Sequence, residues 1–111
     1  MRYGIALALL SLGLISAQGA WAASSKAKAS EKTARKACLS GDYTKGVSIL
    51  SELFVDTGNP IYLFNQARCY EQNLRYAEAA ERFKEYLRKA PDLGDREKAD
   101  VERRIADCET S

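Results

Sequence analysis

Tyr43-Thr44-Lys45-Gly46-Val47-Ser48-Ile49-Leu50-Ser51-Glu52-Leu53-Phe54 is answered 33 positions later by Tyr76-Ala77-Glu78-Ala79-Ala80-Glu81-Arg82-Phe83-Lys84-Glu85-Tyr86-Leu87. Tyr43, Gly46, Val47, Leu50, Leu53 and Phe54 in the first stretch correspond to Tyr76, Ala79, Ala80, Phe83, Tyr86 and Leu87 in the second. Both sets follow i, i+3, i+4, i+7, i+10, i+11, the spacing that gathers side chains onto one face of an α-helix. Two such stripes in the same phase constitute an internal repeat, and a repeat decides the architecture before any single element does.

Working outward, a second helix precedes each of these. Leu63, Ala67, Tyr70 and Leu74 form its stripe in the later unit, with Asn59 as the expected N-cap and Pro60 in the first turn. The matching positions of the earlier unit are Ser30, Ala34, Ala37 and Gly41, a more thinly packed helix. Gly41-Asp42, Gly58-Asn59-Pro60 and Ala90-Pro91 punctuate the chain. Beyond Pro91, residues 95–109 carry a sparse stripe of Val101, Ile105 and Cys108 among many charges. Such a helix suits the end of a solenoid, where one apolar face must cover the last hairpin and the other meets water. No alternating pattern of strand length occurs, and the fold class expected is all-α.

The N-terminus has a different composition. Arg2 is followed by an almost wholly apolar run from Gly4 to Ala17, and Ala20-Trp21-Ala22 has the small-x-small form of a cleavage site. Residues 1–23 therefore read as a signal peptide cut after Ala22 or Ala23, with no cysteine placed for lipid attachment. The organisation expected is 1–23 signal peptide, 24–29 flexible N-terminus and 30–111 folded domain. That domain divides into residues 30–58, residues 59–91 and the capping helix 95–109. Export to the periplasm or the cell exterior follows, with no membrane association after cleavage.

Of 17 Lys and Arg residues Arg2 falls in the leader, and the rest are interleaved with 15 Asp and Glu, which leaves no basic face for nucleic acid. Only the stretch from Lys26 to Lys36 is lopsided, with Glu31 its single acid, and it reads as a solvated surface. The sequence contains no histidine, so it has no imidazole base and no histidine metal ligand. Gly-rich phosphate loops, a nucleophile elbow and Cys-x-x-Cys are absent as well. An enzyme is not expected, nor any cofactor or metal. Three cysteines in an exported chain point to one disulfide and one remaining thiol.

The residues of the later unit resemble the tetratricopeptide repeat (TPR) family, in particular its small exported bacterial members. Ala67 and Tyr70 match the small and aromatic positions of that family's first helix; Tyr76, Ala79, Phe83 and Pro91 match its second helix and end. In the earlier unit Ala34, Gly41-Asp42-Tyr43 and Leu50 match. Gln66 departs from a buried leucine, Tyr86 and Gly46 from alanine, Leu74 from the turn glycine and Ser30 from a large apolar anchor. The resemblance implies two TPR-like hairpins, a short α-solenoid, closed by a C-terminal capping helix. It also implies a concave groove lined by the first helices, which binds a peptide or partner helix.

On that mapping Phe64, Asn65, Arg68 and Gln72, with Ile61 and Glu71, face the groove from the later unit, and Lys32, Arg35 and Leu39 face it from the earlier one. Lys32, Arg35, Arg68 and Asn65 would make an anion-accepting cluster, while Phe64 would either anchor a ligand or pack on the first unit. The same alignment sets Cys108 near the height of Cys69. It suggests a Cys69–Cys108 disulfide that pins the cap, with Cys38 free or intermolecular. Cys38–Cys69 is the competing pair, and loop entropy of roughly 4 kcal/mol either way does not separate them. The expected function is an exported protein–protein interaction adaptor. The alternative is a structural or assembly subunit that self-associates as a homo-oligomer, or docks on a larger solenoid, through its weak first helix.

Overall fold

The computed structural model describes the backbone of residues 17–111 and the side chains of residues 25–111. Five helices follow one another: α1 (Ala17–Leu39), α2 (Tyr43–Thr57), α3 (Ile61–Gln72), α4 (Tyr76–Lys89) and α5 (Asp95–Glu109). Each packs on the next, and α1 also packs on α3, so the chain forms two successive hairpins with α5 laid against α4. Among the described residues no strand forms, and no helix is long and apolar enough to cross a membrane. Most of the signal-peptide reading, residues 1–16, lies outside the described residues. Residues 24–29, expected as a flexible lead-in, are instead helical backbone within α1.

The repeat survives down to its turns. Gly41 and Leu74, 33 positions apart, both take positive φ, of 92° and 59°. In each turn the next amide reaches back five residues, Asp42 N–H to the Ala37 carbonyl and Arg75 N–H to the Tyr70 carbonyl, both at 2.9 Å. This reversal satisfies carbonyls that the end of a helix leaves open. Leu74 therefore belongs to the turn rather than to the α3 stripe, and its side chain is 71% exposed. Asp42 then caps α2 by accepting from the Lys45 amide, and Asn59 Oδ1 accepts from the Ile61 amide at 3.0 Å as expected of an α3 cap.

The apolar stripes meet in two clusters. Ala34, Leu50, Leu53 and Tyr62 are buried between the first hairpin and α3, with Ala27, Ile49 and Phe54 against them. Ala67, Ala79, Ala80, Phe83, Val101 and Cys108 are buried in the second, with Phe64, Tyr70, Tyr86 and Ile105 around them. Val101 and Cys108 join it from α5, so the cap completes the second cluster in the way a third hairpin would. Buried Gln66 links the two hairpins instead of adding apolar volume. Its Nε2 donates to the Val47 carbonyl at 3.1 Å and to Ser51 Oγ at 2.7 Å.

Candidate binding groove

The first helices of the two hairpins are joined covalently at their C-terminal ends. Cys38 of α1 and Cys69 of α3 form a disulfide with a Cα–Cα separation of 5.2 Å, and Cys108 is a buried free thiol. This corrects the expected Cys69–Cys108 pair. The reason lies in the direction each position faces. Counted by the repeat, Cys38 corresponds to Glu71, and both look forward to the next first-type helix: Cys38 meets α3, while Glu71 meets α5. Cys69 looks back to α1, so it has no line to the cap. Cys108 looks back from α5, and there it meets Glu71, with Sγ 3.8 Å from Oε2.

Around the disulfide the contacts are close. Asn73 Nδ2 donates to the Cys38 carbonyl at 3.0 Å and to the Cys69 carbonyl at 2.8 Å, tying the ends of α1 and α3. Gly46 of α2 lies directly beneath. A Cβ there would sit inside van der Waals contact of Cys38 Sγ and 3.1 Å from the Ala34 carbonyl oxygen. Glycine at this position, where the later unit has Ala79, is thus the consequence of a sulfur occupying the space, and that sulfur cannot swing away while bonded.

Above this floor a cavity of about 310 Å³ opens between α1 and α3. Arg35, Phe64, Asn65, Arg68 and Gln72 line it, with Glu31, Leu39 and Leu50, so five of the six residues singled out from the sequence share one space. Lys32 is the exception: it is exposed on α1 and is not part of the wall. The charge pattern is narrower than the expected four-residue anion cluster. Arg68 Nη1 is held by Glu71 Oε1 at 2.6 Å. Glu31 accepts a 2.6 Å hydrogen bond from Tyr62 Oη, and that bond, with burial, pushes the Tyr62 hydroxyl up to about 12. Arg35 has no carboxylate within ion-pair distance among the described residues, so it is the open cation of the groove, beside the Asn65 and Gln72 amides. Leu39 is 68% exposed at the same rim.

Phe64 finds its ring partners within its own hairpin. Its ring packs edge-on to Phe83 at 5.5 Å and against Tyr86 at 5.3 Å, so it belongs to the second hairpin rather than bridging to the first. It also forms a wall of a further cavity, about 220 Å³, between α3, α4 and α5. Tyr86 and Glu97 of that cavity were not among the site residues read from the sequence. The alternation that identifies a core stripe gives no sign of which half-buried member also borders a cleft.

Fold and groove together define a helical-hairpin repeat protein whose first two first-type helices are stapled by a disulfide. Compared with known proteins, the chain matches no family model, no curated protein and no solved structure.

Proposed function

We propose that this protein is a tetratricopeptide-type interaction module, exported to the periplasm or cell exterior, that holds a peptide or partner helix in the α1–α3 groove. The observation that carries the reading is the convergence of Arg35, Asn65, Arg68 and Gln72 with exposed Leu39 on one cavity over a rigid, cross-linked floor. Polar donors around an apolar strip, held on helices that cannot splay, are what a peptide-binding cleft requires. The buried disulfide fits an oxidising compartment and so supports export. The chain's lack of histidine and of nucleophile or phosphate-loop motifs supports a binding role over catalysis.

The alternative, an assembly subunit, is favoured by a different surface: Val55, 81% exposed near the end of α2. A photo-crosslinking residue placed at Gln72 or at Val55 separates the two in the native cell. The adaptor reading expects a crosslink to another protein from Gln72, reduced by Arg35→Glu. Crosslinks only from Val55, and only to a second copy, would overturn it in favour of self-assembly.

A further inference from the structure

The cavity at the cap end of the groove has a chemistry distinct from that around Arg35. Its apolar walls are Ile61 and Phe64 of α3, Tyr86 of α4 and Val101 of α5. The Phe64 and Tyr86 rings, inclined at 59° with centroids 5.3 Å apart, both border this space. Of the charged residues on its rim, Arg104 is engaged by Glu71 at 3.2 Å and Arg103 by Asp100 at 3.3 Å. Glu97, in the first turn of α5, has no cation within ion-pair distance among the described residues. Burial, and secondarily the negative charge of Glu97, holds the Tyr86 hydroxyl above its ordinary range, so the carboxylate acts on the ring's surroundings. An aromatic face and an unpaired carboxylate both attract a cation, and Ile61 and Val101 suit an aliphatic stem.

We propose that this cavity receives a lysine side chain of the protein segment bound in the groove, with its stem against Ile61 and Val101 and its ammonium between Glu97 and the Phe64–Tyr86 rings. The proposal rests on the groove reading above, and Phe64 supplies the continuity, because it walls both cavities. A segment lying along α3 from the Arg35 end crosses Phe64 to reach Glu97. A lysine fits better than an arginine: one free carboxylate offers a point charge, whereas a guanidinium fork seeks paired acceptors.

The test uses the disulfide-bonded full-length protein and a minimal probe, Nα-acetyl-lysine N-methylamide, titrated while protein NMR shifts are followed. Saturable shifts are expected at Phe64, Tyr86 and Val101. Binding should weaken by about threefold to tenfold with the uncharged norleucine analogue, and similarly for the Glu97→Gln protein, in line with a single exposed ion pair plus a cation–π contact. Glu97→Gln should melt with the parent, and Tyr86→Leu, which keeps apolar volume without the π face, should also weaken the probe. Equal binding of the two analogues, no saturable shift at the solubility limit of the probe, or shifts centred on Leu39 and Gln72 would each overturn the proposal. Retention of the Gln72 crosslink alongside any of these removes the lysine pocket alone; loss of that crosslink removes the groove reading itself.

Discussion

The junction between α1 and α3 and the junction between α3 and α5 are the same step of one repeat, built with different chemistry. At the first, Cys38 faces Cys69 and the link is covalent, with Gly46 cleared beneath it and Asn73 bridging the carbonyls above. At the second, the corresponding forward position is Glu71, which binds Arg104 at 3.2 Å and faces a thiol that stays free. The second step has what the first lacks, a cluster rich in aromatic rings around fully buried Phe83. Where the core is thin, with Ser30 and Ala37 where the later unit has Leu63 and Tyr70, the chain adds a cross-link; where the core is substantial, a partly buried ion pair is enough. Small domains commonly need such a staple because their cores alone are only marginally sufficient.

Breaking the covalent step should have the largest effect. The disulfide spans 31 residues of sequence, and removing the loop constraint it places on the unfolded chain should lower stability by roughly 4 kcal/mol. Denaturant melts with and without reducing agent measure this. Loss should be localised, with hydrogen-exchange protection falling in α1 and α2 before α3 to α5. Uniform loss would show that the two steps are not separable.

Gly46 sharpens the same comparison through a change of sign. With the disulfide intact, Gly46→Ala places a methyl against a fixed sulfur and should destabilise by about 1–3 kcal/mol, as overpacking does. In a Cys38→Ala/Cys69→Ala background the sulfur is gone, and alanine should stabilise α2 by roughly 0.5–1 kcal/mol. A double-mutant cycle reads the reversal directly. Additive effects would mean that the glycine is independent of the cross-link.

The second junction is probed at Glu71. Glu71→Gln leaves Arg104 and Arg68 without their carboxylate and should cost about 1 kcal/mol, toward the upper end for ion pairs near a surface. Cys108 reports on the same place. Burial first, and then the Glu71 charge, raise its thiol above the ordinary 9.0. A thiol held protonated in the fold contributes stability that is fully present below the unfolded value and is lost as pH rises through the folded one. Stability should therefore decline above about pH 9, and Cys108→Ala should remove that component of the decline. Glu71→Gln should also quicken alkylation of Cys108, since it relieves one cause of the raised value and loosens α5. Identical alkylation rates would detach the thiol from the ion pair.

The sequence disclosed periodic features well and directional ones poorly. The stripe from Tyr43 to Phe54 and its copy from Tyr76 to Leu87 are half-buried or buried throughout, and the bounds of α5 are those the charge-rich segment suggested. Periodicity says which residues share a face, and burial follows. It does not say which neighbour that face meets. Cys69 is buried, but its heading toward α1 depends on how α3 sits between two other helices. At Gly46 the departure from alanine has its cause elsewhere in the fold, because the sulfur that excludes a Cβ lies eight positions away on another helix. Lys32, one turn before Arg35 on α1, is absent from the groove wall, where Glu31 stands instead. The Arg35, Phe64, Asn65, Arg68 and Gln72 wall was legible through the family resemblance, which implies a groove lined by the first helices, and not from periodicity alone.

The smallest expected effect concerns the two turns. Gly41 and Leu74 occupy the same left-handed position, but a leucine there carries a Cβ against the following carbonyl, a cost of about 1–2 kcal/mol that glycine avoids. Leucine in return restricts the unfolded chain, which offsets roughly 0.5–1 kcal/mol of that cost. Leu74→Gly should therefore stabilise the protein by only about 0.5 kcal/mol, seen as a small rise in the denaturation midpoint with an unchanged slope. The reciprocal change, Gly41→Leu, should destabilise by a similar amount, since nothing lies within 4 Å of a Cβ at Gly41 and the penalty there is one of backbone conformation alone. A destabilised Leu74→Gly protein would instead mean that the exposed leucine makes a contact worth more than its strain. Leu74 would then belong with Leu39 among the apolar residues available to a partner at the disulfide end of the repeat.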